Sequence, residues 1–199
     1  MKKTRLAITG NIGSGKSVVS RMLEIMGIPV YNCDNRAKEL MRNDKGLKKN
    51  IVRMFGEDSY TVEGELNKEW LAARIFTDKD NISRMNALVH PCVKADYANW
   101  ANEAESDIVA VESAILYESG MIEMVDKVLL VWADEETAVA RVVKRGGLTR
   151  QQVQSRLHNQ MSADDLLLLS DYSLRNDGVN PIMPKLVDIV ADLRNNNID

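Results

Sequence analysis

A glycine-rich segment near the start of the chain has residue types and spacing suited to holding phosphate. Residues 10–17 read GNIGSGKS and fit the pattern GxxxxGK[ST] at every position. The glycines of such a loop let its backbone N–H groups point inward, and the loop and the next helix N-terminus then form a concave anion site. Lys16 is expected to contact the β- and γ-phosphates, and the Ser17 hydroxyl to bind Mg²⁺. The residues predicted to bind the nucleotide are Asn11, Ile12, Gly13, Ser14, Gly15, Lys16, Ser17 and Val18.

An acidic side chain follows the second predicted strand. Asp34 lies at the carboxyl end of this strand, where open α/β sheets bind their ligands. A carboxylate at this point can orient an acceptor hydroxyl and take its proton late in phosphoryl transfer. Two other interpretations stay open: a solvated carboxylate at the strand end, or an N-cap for a helix predicted over residues 35–42.

Further charged residues could stabilise a metal ion or a transferring phosphoryl group. Glu112 ends the third predicted strand and is a candidate ligand of Mg²⁺ through water, or else a buried structural carboxylate. Arg141 and Arg145 are four residues apart on a helix predicted over residues 135–145, directly before two glycines that could act as a hinge. They are predicted to cover the phosphates as part of a lid, with Arg156 as a third candidate. The alternative is a solvated helix face.

Short apolar runs alternate with segments of helical spacing and define the elements that position these residues. The runs at 5–9, 28–31, 108–112, 127–132 and 171–175 predict strands. This alternation predicts an α/β fold of the P-loop NTPase type, with a parallel five-stranded sheet between two layers of helices. Apolar residues at three- and four-residue spacing predict a helical insertion at about 45–105. We expect residues 1–199 to form one domain, with a small lid at about 145–165.

Composition restricts the partners and the compartment. The chain has 199 residues, a net charge of −3 and basic residues scattered along its length, which argues against a nucleic-acid partner. No apolar run approaches the length of a membrane helix. The two cysteines, Cys33 and Cys92, have neither disulfide nor zinc spacing. We therefore expect a cytoplasmic protein that is a monomer or weak homo-oligomer.

Several segments along the chain resemble, in their order and spacing, the sequence motifs of one protein family. These segments are the GNIGSGKS loop, the Asn32-Cys33-Asp34 strand end, residues 88–91 with their His90-Pro91 pair, VESAILYE at 111–118, the helix at 141–145, QSRLHNQMS at 154–162, Asp171-Tyr172 and Asn176. Together they are similar to dephospho-coenzyme A kinase, from the first strand to about residue 178. Asn32 stands where the family pattern usually has an aspartate.

This resemblance implies a reaction and a role for each matching residue. ATP, with Mg²⁺, would phosphorylate the ribose 3′-hydroxyl of dephospho-coenzyme A, the last step of coenzyme A biosynthesis. Asp34 would be the catalytic base, and the helical insertion would bind the acceptor. His90 and Glu118 would contact the acceptor, and Asn176 would lie beside the adenine unless it only forms a turn. His158 is expected to be an exposed helix residue.

Two other functions remain open from the sequence. Another small P-loop kinase acting on a nucleotide or nucleoside would share the loop and the arginine lid. A nucleotide-dependent switch or binding protein belongs to a different class, because a P-loop alone does not define the reaction. A GTPase switch is expected to carry DxxG and NKxD segments, and neither occurs at a useful position.

Overall fold

The computed structural model of the protein describes residues 3–75 and 79–195. Its central element is a five-stranded parallel sheet. The strands are β1 (Thr4–Thr9), β2 (Val30–Asn32), β3 (Ile108–Glu112), β4 (Lys127–Trp132) and β5 (Tyr172–Arg175). The helices are α1 (Lys16–Ile25), α2 (Cys33–Asn43), α3 (Lys45–Phe55), α4 (Lys68–Ile75), α5 (Lys79–Glu103), α6 (Glu135–Arg145), α7 (Arg150–His158), α8 (Ala163–Leu168) and α9 (Met183–Asn195). The strand order is β2-β3-β1-β4-β5. The predicted three-layer α/β fold with a five-stranded parallel sheet is confirmed.

The glycine-rich loop directly follows β1, the central strand of the sheet. β1 pairs in parallel with β3 on one side and with β4 on the other. In this register Ile8 is the partner of Glu112, and Thr9 is the partner of Leu130. The loop that follows Thr9 therefore begins between the carboxyl ends of two neighbouring strands, the edge at which parallel sheets bind ligands.

An apolar cluster anchors α1 and α9 to the sheet. Fully burying one aliphatic side chain of this kind contributes about 1.5–3 kcal/mol, so Val19 and Leu23 fix α1, which directly follows the loop, to the sheet. Its buried members come from four strands, the two helices and the connection after α1: Leu6, Ile8, Val19, Leu23, Ile28, Ile108, Ala110, Leu129, Val131, Leu174, Leu186, Ile189, Val190 and Leu193.

The second strand begins later than the apolar pattern at 28–31 predicts. Ile28 is buried, but its backbone N–H donates to Leu23 O at 2.9 Å and closes the end of α1. Gly27, with φ +82°, makes that turn possible. Pro29 has no N–H to offer a strand partner, so the strand starts only at Val30. The first strand starts one residue before its predicted position and the last strand one residue after it.

Contacts divide the chain into two compact units. One comprises Met1–Tyr31 with Glu103–Asp199, and the other comprises Asn32–Asn102. The second unit contains α2 to α5, a 3-10 turn at Glu57–Ser59 and an antiparallel bridge between Tyr60 and Leu66. Its residues 45–75 and 79–102 are thus mainly helical, and α2 belongs to the same unit.

Helix boundaries around the predicted lid follow local sequence signals. α6 has the predicted bounds and ends at Gly146, which has φ +82°. Thr149 and Gln152 form a capping box at the start of α7, in which each side chain accepts a hydrogen bond from the other residue's backbone N–H. Within the described residues, no helix is long and apolar enough to cross a membrane.

Candidate functional site

Close packing around the glycine-rich loop leaves no room for a Cβ at its glycines, as Gly13 and Gly15 illustrate. Gly13 has φ +82°, and a Cβ there would lie 2.4 Å from the backbone oxygen of Ala138 in α6. Gly15 has φ +96°, and a Cβ there would lie 2.0 Å from Nδ2 of Asn176. Both positions need glycine for its backbone conformation and for space. Neighbouring elements thus pack directly against the loop.

The nucleotide-binding residues that the GxxxxGK[ST] pattern predicts, Asn11 to Val18, lie in this loop and in the first turn of α1. Lys16 Nζ donates to Gly10 O at 2.6 Å and to Asn11 O at 3.2 Å, so its ammonium group lies along the loop. Ser17 and Val18 are exposed in the first turn of α1. A helix N-terminus presents unsatisfied N–H groups and a partial positive charge. This combination is of the kind that binds phosphate groups in proteins.

Asn176 connects the loop to α6. Its Nδ2 donates to Ser14 O at 2.9 Å, and its own N–H donates to Trp132 O at 2.7 Å. Its backbone oxygen accepts from the guanidinium of Arg141 at 2.8 Å. Arg141 and Asn176, both predicted from the sequence, therefore lie together beside the loop.

The next residue, Asp177, stabilises the turn that follows β5. Its carboxylate accepts from the backbone N–H groups of Asn180 and Val179, each at 2.9 Å. These backbone hydrogen bonds lower the pKa of Asp177 to about 2. The turn-forming role that the sequence leaves open for Asn176 thus falls to Asp177, and the Asn176 side chain bonds the loop instead.

The other arginines predicted to belong to a lid lie in more open positions. Arg145 is exposed in the last turn of α6 and makes no side-chain hydrogen bond or ion pair with the residues that the structure describes. Arg156 in α7 is exposed too. His158 is exposed as predicted, and its Nδ1 donates to Gln154 O at 2.8 Å.

Glu112 lies at the end of β3 and contacts α1. Its Oε2 accepts from the Ser20 hydroxyl at 2.7 Å, and Ser20 follows Ser17 by one turn of α1. Across the described ranges 3–75 and 79–195, no three His, Cys, Asp or Glu side chains form a metal cluster. Mg²⁺ usually takes only one or two carboxylates and keeps several waters, so the oxygens of Ser17 and Glu112 fit its preference.

The start of α2 assigns separate roles to Asn32 and Asp34. Asn32 is the N-cap, and its Oδ1 accepts from Asn35 N at 2.9 Å. The N-cap interpretation of Asp34 is therefore wrong, because the helix begins two residues earlier than predicted. Asp34 is exposed in the first turn, where a carboxylate is favoured by the helix dipole. Asparagine caps a helix as well as aspartate does, so Asn32 has a structural role without a charge.

His90 lies within α5, next to Pro91. Its side chain is half-buried. Burial, with a smaller contribution from the charge of Lys94, lowers the pKa of His90. The imidazole is therefore neutral at pH 7, able to donate one hydrogen bond and accept another. Glu118, the other predicted acceptor contact, is exposed in the turns after β3.

A cavity of about 320 Å³ lies beside the first half of the loop. Asn11, Ile12 and Ser14 line one side, and Leu157 and Gln160 contribute to the other. Gln160 lies between α7 and α8, and its Oε1 accepts from Ile12 N at 2.9 Å.

The sequence assigned no role to Gln160 or to Ser20. Gln160 is 148 residues from the loop it contacts, and Ser20 is 92 residues from Glu112. Local pattern carries no signal for pairs so far apart in the chain. The only hint was that Gln160 lies in the segment at 154–162, which contributes to the family resemblance.

A family model and the curated relatives of this chain name one family. The family model described as dephospho-CoA kinase (CoaE) matches residues 4–181. A dephospho-CoA kinase from Bacteroides fragilis (strain YCH46) is 37% identical over 190 residues, covering 95% of this chain and 92% of that protein. The crystal structure of TT1252 from Thermus thermophilus is 30% identical with a TM-score of 0.83, covering 98% of each chain.

A second solved structure supports the fold. The dephospho-CoA kinase from Campylobacter jejuni has a TM-score of 0.70 at 20% identity, covering 98% of this chain and all of that one. The expectation of an enzyme, a P-loop kinase with a role in coenzyme A biosynthesis, is confirmed by these relationships. The chain belongs to the dephospho-CoA kinase family.

Proposed function

We propose that the chain transfers the γ-phosphoryl group of ATP to the ribose 3′-hydroxyl of dephospho-coenzyme A, giving coenzyme A and ADP. Family membership over most of the chain supports the acceptor. The observation that carries the nucleotide half is the loop between β1 and α1, whose glycines have the tight packing described above. Both substrates are small molecules, and no nucleic acid takes part.

The nucleotide is held by backbone and side-chain donors of the loop. N–H groups of the loop and of the first turn of α1 bind the phosphate oxygens. Lys16 now donates to the carbonyls of Gly10 and Asn11, and on nucleotide binding its ammonium group moves to the β- and γ-phosphates. Asn176 contributes next to the adenine, where its backbone is fixed by Arg141.

Asp34 acts on the acceptor hydroxyl. It orients the 3′-oxygen for in-line attack on the γ-phosphorus and takes the hydroxyl proton as the P–O bond to ADP breaks. Its exposed position in the first turn of α2 leaves the carboxylate open to a substrate. In a loose transition state the proton moves late, so a carboxylate of ordinary basicity is sufficient.

Acceptor contacts come from the helical insertion at about 45–105, which we propose as the coenzyme A-binding segment. Within it, the neutral imidazole of His90 can both donate to and accept from a substrate. Glu118 contributes an exposed carboxylate from outside the insertion. Arg145, in the lid at about 145–165, neutralises charge on the transferring phosphoryl oxygens, and Arg141 assists.

Mg²⁺ fits the oxygen ligands that this chain offers. Ser17 would bind the ion through its hydroxyl, and Glu112 would do so through water. When bound, the ion neutralises negative charge on the β- and γ-phosphates. The hydrogen bond from Ser20 fixes the orientation of the Glu112 carboxylate for this role.

We also propose that the enzyme acts in the cytoplasm as a monomer or weak homo-oligomer. Both cysteines, Cys33 and Cys92, are free thiols, which is the usual state in a reducing compartment.

A panel of acceptors tests the proposed reaction. The purified chain is assayed with Mg-ATP and dephospho-coenzyme A, AMP, CMP, adenosine or shikimate. We expect the highest kcat/KM with dephospho-coenzyme A, and phosphorus–proton coupling in the NMR spectrum of the product should assign the new phosphate to the 3′ position. A clear preference for a nucleotide or nucleoside, or a 2′-phosphate product, would refute the proposal. Replacing ATP with GTP measures the donor preference in the same assay.

A further inference from the structure

Gln160 provides a direct hydrogen bond between the lid segment and the glycine-rich loop. It lies in the short connection between α7 and α8, and its backbone N–H donates to Leu157 O at 3.1 Å. Its side-chain oxygen accepts from Ile12 N at 2.9 Å. Ile12 is in the first half of the loop, before the turn into α1. One amide oxygen thus links two segments that are far apart in the sequence.

The side chain of Ile12 points to the same partner segment. It packs against an apolar cluster whose buried members are Val139 and Val142 of α6 and Val153 of α7. Both the backbone and the side chain of Ile12 are therefore held by residues of α6, α7 and their connections. The hydrogen bond fixes the direction of the Ile12 N–H, which apolar packing alone cannot do.

The cavity beside the loop makes this hydrogen bond more important. Asn11, Ile12 and Ser14 also border the cavity, so close packing supports the loop against α6 but not where it faces this space. The Ser14 hydroxyl is buried and has no hydrogen-bond partner within the described part of the chain. A loop with empty space on one side depends on its few directional contacts to keep one conformation.

We propose that Gln160 is a positioning residue for nucleotide binding. Its amide oxygen holds the Ile12 N–H and keeps the first half of the loop in the conformation that accepts the triphosphate. Nucleotide affinity thereby depends on the α6–α8 segment, since any shift of the α7–α8 connection changes the position of Ile12. The inference rests on the nucleotide half of the proposed function and not on the identity of the acceptor.

The test compares Gln160→Met with Gln151→Met. Methionine at position 160 keeps the length of the side chain and removes the hydrogen-bond acceptor. Gln151 is exposed in α7, so the same substitution there changes the helix that precedes Gln160 without touching the loop. ATP binding is measured by calorimetry without acceptor, KM is measured for both substrates, and thermal unfolding follows the fold.

We expect Gln160→Met to weaken ATP binding and to raise the KM for ATP by about five- to tenfold, the effect of one neutral hydrogen bond. The KM for the acceptor and the melting temperature should stay close to those of Gln151→Met. A purely structural role would lower the melting temperature and leave the KM for ATP unchanged. That result, or an equal rise of both KM values, would overturn the proposal.

Two further measurements keep the test decisive. If Gln160→Met does not fold, Gln160→Ala gives the same comparison, because the smaller side chain borders a cavity and cannot overpack it. If the wild-type chain binds ATP without phosphorylating dephospho-coenzyme A, the acceptor assignment fails. Calorimetry still decides the role of Gln160 in that case.

Discussion

Replacing Asn176 tests whether the glycine-rich loop is held in a binding conformation by its neighbours. The amide Nδ2 donates to Ser14 O at 2.9 Å, and Ser14 is only 1% exposed, so its carbonyl cannot readily turn to water. Asn176→Ala removes this donor and leaves a buried acceptor unsatisfied. The net loss is about 1–2 kcal/mol, between the value of one hydrogen bond and the penalty for an unpaired buried group.

This loss should appear in nucleotide affinity. A loop released from Asn176 samples other conformations, and nucleotide binding must select the competent one again. A loss of about 1–2 kcal/mol corresponds to a Kd for ATP raised by roughly five- to thirtyfold. Asn176→Asp should be worse than Asn176→Ala, because it sets a carboxylate oxygen against the Ser14 carbonyl and adds negative charge beside the phosphate site.

Calorimetric titration with ATP measures the effect, and Asn180→Ala is the matched control. Asn180 belongs to the same turn, and its Nδ2 donates to Asp177 rather than to the loop. We expect the control to bind ATP as the wild type does. The reasoning would be refuted if folded Asn176→Ala bound ATP within twofold of the wild type, or if Asn176→Asp bound it as well as Asn176→Ala.

Three further predictions concern catalysis, the loop and acid stability. Asp34→Asn should lower kcat by roughly 10² with ATP affinity unchanged, and an unchanged kcat would remove Asp34 from catalysis. Gly13→Ala should abolish measurable ATP binding, since its Cβ meets backbone, and near-normal calorimetric affinity would contradict this. Burial opposes ionisation of Asp171, but hydrogen bonds from Lys127 and Val128 N outweigh it and lower its pKa. This stabilisation is fully present above the pKa of an aspartate in the unfolded chain, about 3.9, and is lost as the pH falls through the pKa of Asp171 in the folded protein. In Asp171→Asn the melting temperature should therefore fall less steeply with decreasing pH than in the wild type. Parallel curves of melting temperature against pH for the two proteins would argue against this role.

Properties that depend on consecutive residues could be predicted from the sequence. The glycine-rich loop is defined by eight neighbouring residues, and a strand and a helix flank it as the apolar pattern predicts. The end of α6 before Gly146 also depends only on nearby residues. Each of these predictions succeeded because the deciding interactions lie within one or two turns of chain.

The predicted starts of β2 and α2 were wrong because local hydrogen bonds, which the hydrophobic pattern does not reveal, set these boundaries. Ile28 is as apolar as a strand residue, but its N–H closes α1, and Pro29 offers none. Asp34 is an acceptable N-cap by residue type, yet Asn32 takes that position. In both cases the residue type suits the predicted element, but the hydrogen bond of one backbone N–H decides where the element begins.

Long-range hydrogen bonds restrict the conformation of the loop backbone, which the GxxxxGK[ST] pattern does not specify. Two side-chain amides contact the loop with opposite polarity, the oxygen of Gln160 at Ile12 N and the nitrogen of Asn176 at Ser14 O. Their positions are only two residues apart in the loop, but each amide comes from a different connection of the fold. A GxxxxGK[ST] segment thus specifies which backbone can surround phosphate, whereas the amides select one conformation of that backbone. The same loop sequence in another fold would lack these restraints, because they depend on where the α7–α8 connection and the turn after β5 meet it.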